Sequence, residues 1–111
     1  MLKLEIRLDD SLIAKVNKYK AAKIYACLDE NFSELGILKK ILPDGTLVYY
    51  GTGDRQDYGG FGLMITGLHK KDWFMPYVTK WIWYNSDDGR NEDDFKIEDV
   101  LYFYTKRESI A

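Results

Sequence analysis

Leu2, Leu4, Ile6 and Leu8 alternate with Lys3, Glu5 and Arg7. A period of two sends successive side chains to opposite faces, so this stretch predicts a strand buried on one side. Asp9, Asp10 and Ser11 follow, and their oxygens can accept the free N–H groups of a first helical turn. Helical periodicity then runs to about Phe32 in two phases. Leu12, Val16 and Tyr19 make one stripe, while Ala21, Ile24, Tyr25, Leu28 and Phe32 make another. Two phases predict two short helices, or a kink, near Lys18 to Ala22, with Lys15, Lys18, Lys20 and Lys23 toward solvent.

Gly36 reads as a helix stop. Ile37 to Leu42 and Thr46 to Tyr50 flank Pro43-Asp44-Gly45, a turn in which Pro presets φ and Gly accepts a positive one, so a hairpin is expected. Gly51 to Gly60 reads as a polar, glycine-rich loop, Phe61 to Leu68 as a strand, and His69 to Tyr77 as a short helix ended or bent by Pro76. Val78 to Tyr84 reads as a strand in which Trp81 and Trp83 share one face and Ile82 and Tyr84 the other, one pair being core. Ile97, Val100, Leu101 and Tyr104 fall at i, i+3, i+4 and i+7, the stripe of a C-terminal helix, with Glu98 and Asp99 in its first turn. The order predicts one small α+β domain over residues 1–111: an antiparallel sheet of about five strands, N-terminal helical segments and a C-terminal helix.

Composition narrows the function. A chain of 111 residues with a net charge of −2 supports one core, and its acidic balance argues against direct nucleic-acid binding, which needs a basic footprint. No stretch reaches the ~20 apolar residues of a membrane span, and Met1 to Arg7 lacks the apolar run of a signal peptide. With a single cysteine, Cys27, no intramolecular disulfide forms, so a cytoplasmic setting is expected.

Charge is uneven. Asp87 to Asp99 holds seven carboxylates (Asp87, Asp88, Glu92, Asp93, Asp94, Glu98, Asp99) against Arg90 and Lys96, a local −5. It follows the aromatic block Trp81 to Tyr84. Clustered charge steers a cationic partner, and large aromatics supply contact area at low entropic cost. The expected partner-binding residues are Tyr84, Asp87, Asp88, Glu92, Asp93 and Asp94, with a second patch at Asp54, Asp57 and Tyr58. No metal or cofactor is expected, because setting Gly89 at the sixth place of a calcium loop puts Tyr84 where Asp is required.

Two chemical readings compete with binding. Gly51 to Gly62 invites a nucleotide, but it lacks a phosphate loop's Lys and Ser/Thr and reads as joining strand to strand. Cys27 and His69 are a nucleophile and base by residue type, yet no catalytic signature surrounds them. Cys27 reads as a packed thiol beside Ile24 and Leu28, and His69 as a surface or helix-start residue. An enzyme is therefore not expected.

The stretches Asn31-Phe32-Ser33-Glu34-Leu35-Gly36, Phe61-Gly62-Leu63-Met64-Ile65-Thr66-Gly67-Leu68 and Asn91-Glu92-Asp93-Asp94-Phe95, with the acidic aromatic-edged segment, resemble the immunity proteins of bacterial contact-dependent growth inhibition. That resemblance implies a protein that binds the C-terminal toxin domain of a cognate effector, often a basic nuclease, and blocks it. The alternatives are a cytosolic adaptor or regulatory subunit, and a ligand-binding or enzymatic domain using Gly51 to Gly62. The sequence sets no oligomeric state.

Overall fold

A computed structural model of the chain describes residues 2–85 and 96–109. The elements run β1 (Leu2–Leu8), α1 (Asp10–Val16), α2 (Ala21–Glu34), β2 (Leu38–Ile41), β3 (Leu47–Tyr50), α3 (Asp57–His69), β4 (Val78–Asn85), β5 (Lys96–Asp99) and α4 (Val100–Thr105). The five strands form one sheet in the order β2-β3-β1-β4-β5, and every neighbouring pair is antiparallel. This is the α+β domain expected from the sequence.

β1 lies at the centre because it is apolar along one whole face. Leu2, Leu4, Ile6 and Leu8 are all buried and join Leu47, Tyr49, Trp81 and Trp83 in one cluster with side chains from all four helices. Phe32 of α2 stacks on Tyr49 of β3 at 3.8 Å between ring centroids, and Phe61 of α3 packs on Trp83 at 4.9 Å. The buried pair of β4 is thus Trp81 and Trp83. Ile82 and Tyr84 join Lys3, Glu5, Arg7, Val48 and Tyr50 on the opposite face, away from that cluster.

The two N-terminal helices form as read. Asp9 caps α1 by accepting the Leu12 N–H at 3.0 Å, Asn17 closes it in the left-handed region, and α2 buries Ile24, Leu28 and Phe32. In α1 the inward residue is Ile13, while Val16 is exposed. The hairpin turn is closed by Gly45 N–H to the Leu42 carbonyl at 2.9 Å, with Gly45 at φ +88°.

Three expectations are corrected. Residues 61–68 are helical, belonging to α3. The buried positions of α3 are Asp57, Phe61 and Leu68, a stripe that the apolar run hides, and the four glycines of α3, Gly59, Gly60, Gly62 and Gly67, argue locally against helix. The fifth strand is instead β5, so Ile97 is an exposed strand residue, and α4 begins at Val100 with Asp99 as its cap. Residues 72–77 form hydrogen-bonded turns in place of a short helix.

Candidate functional site: one end of the sheet

Register brings the ends of β4 and β5 and the start of the loop after β3 into one row. Asn85 pairs with Leu2 of β1 on one side and with Lys96 of β5 on the other. The Gly51 N–H donates to the Leu2 carbonyl at 2.9 Å. Gly51, Leu2, Asn85 and Lys96 therefore make the last row at one end of the sheet. The chain leaves that row at Asn85 and re-enters it at Lys96. Asp87, Asp88, Glu92, Asp93 and Asp94 belong to that connection and lie outside the described residues.

From the same row the loop 51–56 leads into α3. Tyr58, in the first turn, is 56% exposed and sets its ring edge toward Trp83 of β4, 6.4 Å between centroids. Asp54 is exposed, and its carboxylate accepts the Gln56 N–H at 2.8 Å. Asp57 does something other than face a partner. It is 7% exposed and accepts from the Thr52 hydroxyl and the Gly53 N–H, both at 2.8 Å. These bonds brace the loop that presents Asp54 and Tyr58.

Tyr84 stands on the helix-free face, half-buried, within a polar group that the sequence reading missed. Its hydroxyl donates to Glu5 at 3.2 Å, Lys80 reaches the same Glu5 oxygen at 3.0 Å, and the Lys3 ammonium lies 4.3 Å from the Tyr84 ring centroid. Burial, then the Glu5 charge and its hydrogen bond, push the Tyr84 hydroxyl up to about 12. The signal was the polar phase of β1: Lys3 and Glu5 had to share a face with Tyr84 once β1 and β4 paired.

The glycine-rich run is strand, loop and helix, not a link between strands, which removes one objection to a nucleotide reading. A stronger one replaces it. A phosphate loop holds its ligand through free backbone N–H groups, but four amides of this loop and its junction with α3, Gly53, Asp54, Gln56 and Asp57, already donate to Asp57, Thr52, Asp54 and the Asp54 carbonyl. Gly59, Gly60 and Gly62 lie within α3 and not in the loop.

Cys27 is exposed on α2, against the expectation of a packed thiol: at i+3 from Ile24 it falls off the buried stripe. His69, at the far end of α3, stacks on Tyr104 at 3.8 Å. Among the described residues no group of three or more His, Cys, Asp or Glu side chains is placed to hold a metal ion, and no helix is long and apolar enough to cross a membrane. No family model, curated protein or solved structure matches the chain.

Proposed function

We propose that this chain is a toxin-neutralising immunity protein of the contact-dependent growth inhibition type. It binds the C-terminal toxin domain of its cognate effector, a basic nuclease, and blocks it. The observation that carries this reading is the shared end row of the sheet. The connection between Asn85 and Lys96, acidic in sequence, leaves and re-enters the row from which the loop presenting Asp54 and Tyr58 departs, and on this reading its charge acts together with the exposed Tyr58 ring.

A nuclease surface is cationic because it holds phosphates, and a carboxylate-rich surface can occupy it by charge complementarity. Tyr58 supplies desolvated contact area at the centre, with the carboxylates as the charged rim. No reaction, metal or cofactor is required, and the setting is the cytoplasm of the producing cell. Co-expression tests the reading: cells carrying the toxin domain encoded immediately upstream should grow only when this chain is present, and the two should co-purify as a complex. Growth arrest despite full expression of this chain contradicts it.

A further inference from the structure

Helix α3 presents an uncharged outer face at the surface, made of Gly59, Gly62, Leu63 and Thr66. None of residues 58–68 is charged, while Phe61 and Leu68 are buried and Leu63 is 76% exposed. A helix of that composition is ordinarily covered on both sides. We propose that its outer face is covered by the same face of a second copy of this chain, the two α3 helices packing antiparallel across a two-fold axis at Leu63.

The face is built to match itself. Leu63 is the middle residue of Asp57–His69, and glycines stand four residues before and after it, at Gly59 and Gly67, each with nothing within 4 Å of where a Cβ would be. Antiparallel packing about Leu63 sets Gly59 of one copy against Gly67 of the other. Bare backbone at both positions lets the axes approach closely, leaving Leu63 as the large apolar side chain that projects, with the smaller Thr66 one turn on. Beside it lies a cleft of about 530 Å³, with Leu35, Ile37, Gly59 and Gly60 on its apolar side and Glu34, Asp54, Arg55 and Gln56 on its polar side. A knob next to a groove on one surface is what a two-fold interface requires, because each copy's Leu63 enters the other's cleft.

Charge fits the same arrangement. Glu34 and Asp54 line the cleft at the N-terminal end of α3, and Lys70, two turns beyond Leu63 on its face, caps the C-terminal end. Antiparallel packing brings Lys70 of one copy to Glu34 and Asp54 of the other. Arg55 lines the same end of the cleft, so Lys70 meets a mixed cluster in which the carboxylates of Glu34, Asp54 and Asp57 outnumber the cation. The interface centres on the flank of α3 and not on the end row of the sheet; the two surfaces share Asp54, so the variants that test self-association are placed at Leu63, Lys70, Glu34 and Gly59, outside the toxin-binding residues.

Sedimentation velocity over a concentration series tests the proposal, with circular dichroism confirming the fold of each variant. The wild-type chain should be a dimer that dissociates on dilution. Leu63→Glu should be monomeric at concentrations at which the wild type is paired. Lys70→Glu should weaken the dimer about tenfold, and adding Glu34→Lys should restore it. Gly59→Ala separates the dimer from the fold: a methyl group in open space on a helix raises the melting temperature of the diluted monomer, while lifting the two helices apart weakens the dimer. A wild-type chain that stays monomeric at its highest soluble concentration, or a dimer indifferent to Leu63→Glu, overturns the proposal.

Discussion

The Tyr84 hydroxyl donates to the Glu5 carboxylate at 3.2 Å across the helix-free face of the sheet, and the Glu5 oxygen it uses also holds Lys80. The Glu5 and Lys80 side chains are only 10% and 12% exposed. Removing one partner therefore strands a mostly buried charge. Lys80→Met is expected to destabilise the fold by roughly 2–4 kcal/mol, read by urea denaturation, and the double variant Lys80→Met with Glu5→Leu should recover most of that loss.

The same contact has an alkaline signature. Tyr84 is raised in the fold to about 12 from an unfolded value of about 10, so its contribution is complete below about pH 10 and is lost as pH rises through 12. Ultraviolet titration of Tyr84→Phe should lack a tyrosine that ionises near 12 in the wild type, and Glu5→Gln should shift that ionisation downward.

An acidic counterpart lies at Asp99. Its carboxylate accepts from the Ser109 N–H at 2.8 Å and hydroxyl at 2.6 Å and caps α4 through the Tyr102 N–H, while Ser109 in turn accepts the Trp81 N–H at 2.9 Å. Partial burial raises the carboxyl, but these hydrogen bonds outweigh it and hold Asp99 below its usual range. Its stabilisation is present above the unfolded value near 4 and fades as pH falls through the lower folded value. Asp99→Ala should cost about 1–2 kcal/mol near neutral pH, with the difference from wild type shrinking in denaturation at pH 2 to 3.

How much of this was legible from the sequence depended on whether local pattern and tertiary position agreed. β1 and α2 announce themselves because each carries one uninterrupted apolar stripe. α3 does not: its outer face carries no charge between Tyr58 and Leu68 and its glycines disfavour helix locally, so periodicity had little to contrast. Ile97 fits the helical stripe of α4 by spacing alone, but pairing with Tyr84 draws it into β5. The meeting of the 51–58 loop with the ends of β4 and β5 was illegible because sequence order does not reveal that β1 sits between β3 and β4. Asp57, read as a contact residue, is instead drawn under the loop by Thr52 and Gly53.

That role for Asp57 is checked by Asp57→Asn. The amide has the size of the carboxylate but points a donor at the Gly53 N–H or the Thr52 hydroxyl, so the loss should be about 1–3 kcal/mol. Gly51→Ala should produce a similar drop in thermal midpoint, because a Cβ there would meet the Asp57 carboxylate at 2.8 Å, and that carboxylate is pinned by two hydrogen bonds.

Tyr58→Ala should leave the melting temperature nearly unchanged, since the ring is largely exposed. In the complex it should raise the dissociation rate at least tenfold, about 1.4 kcal/mol, with little change in association. Surface-based kinetics against the upstream toxin domain read both rates.

On the proposed reading, the carboxylates between Asn85 and Lys96 steer a basic toxin domain onto this end of the sheet. The most direct measurement is the association rate of that domain with the wild type and with a variant carrying Asn at Asp87, Asp88, Asp93 and Asp94, at low and high salt. Asn keeps the size of each side chain, so the variant should fold normally. It should associate about tenfold more slowly at low salt and lose most of the salt dependence of the wild type. An association rate equal to the wild type at both salt concentrations contradicts the claim.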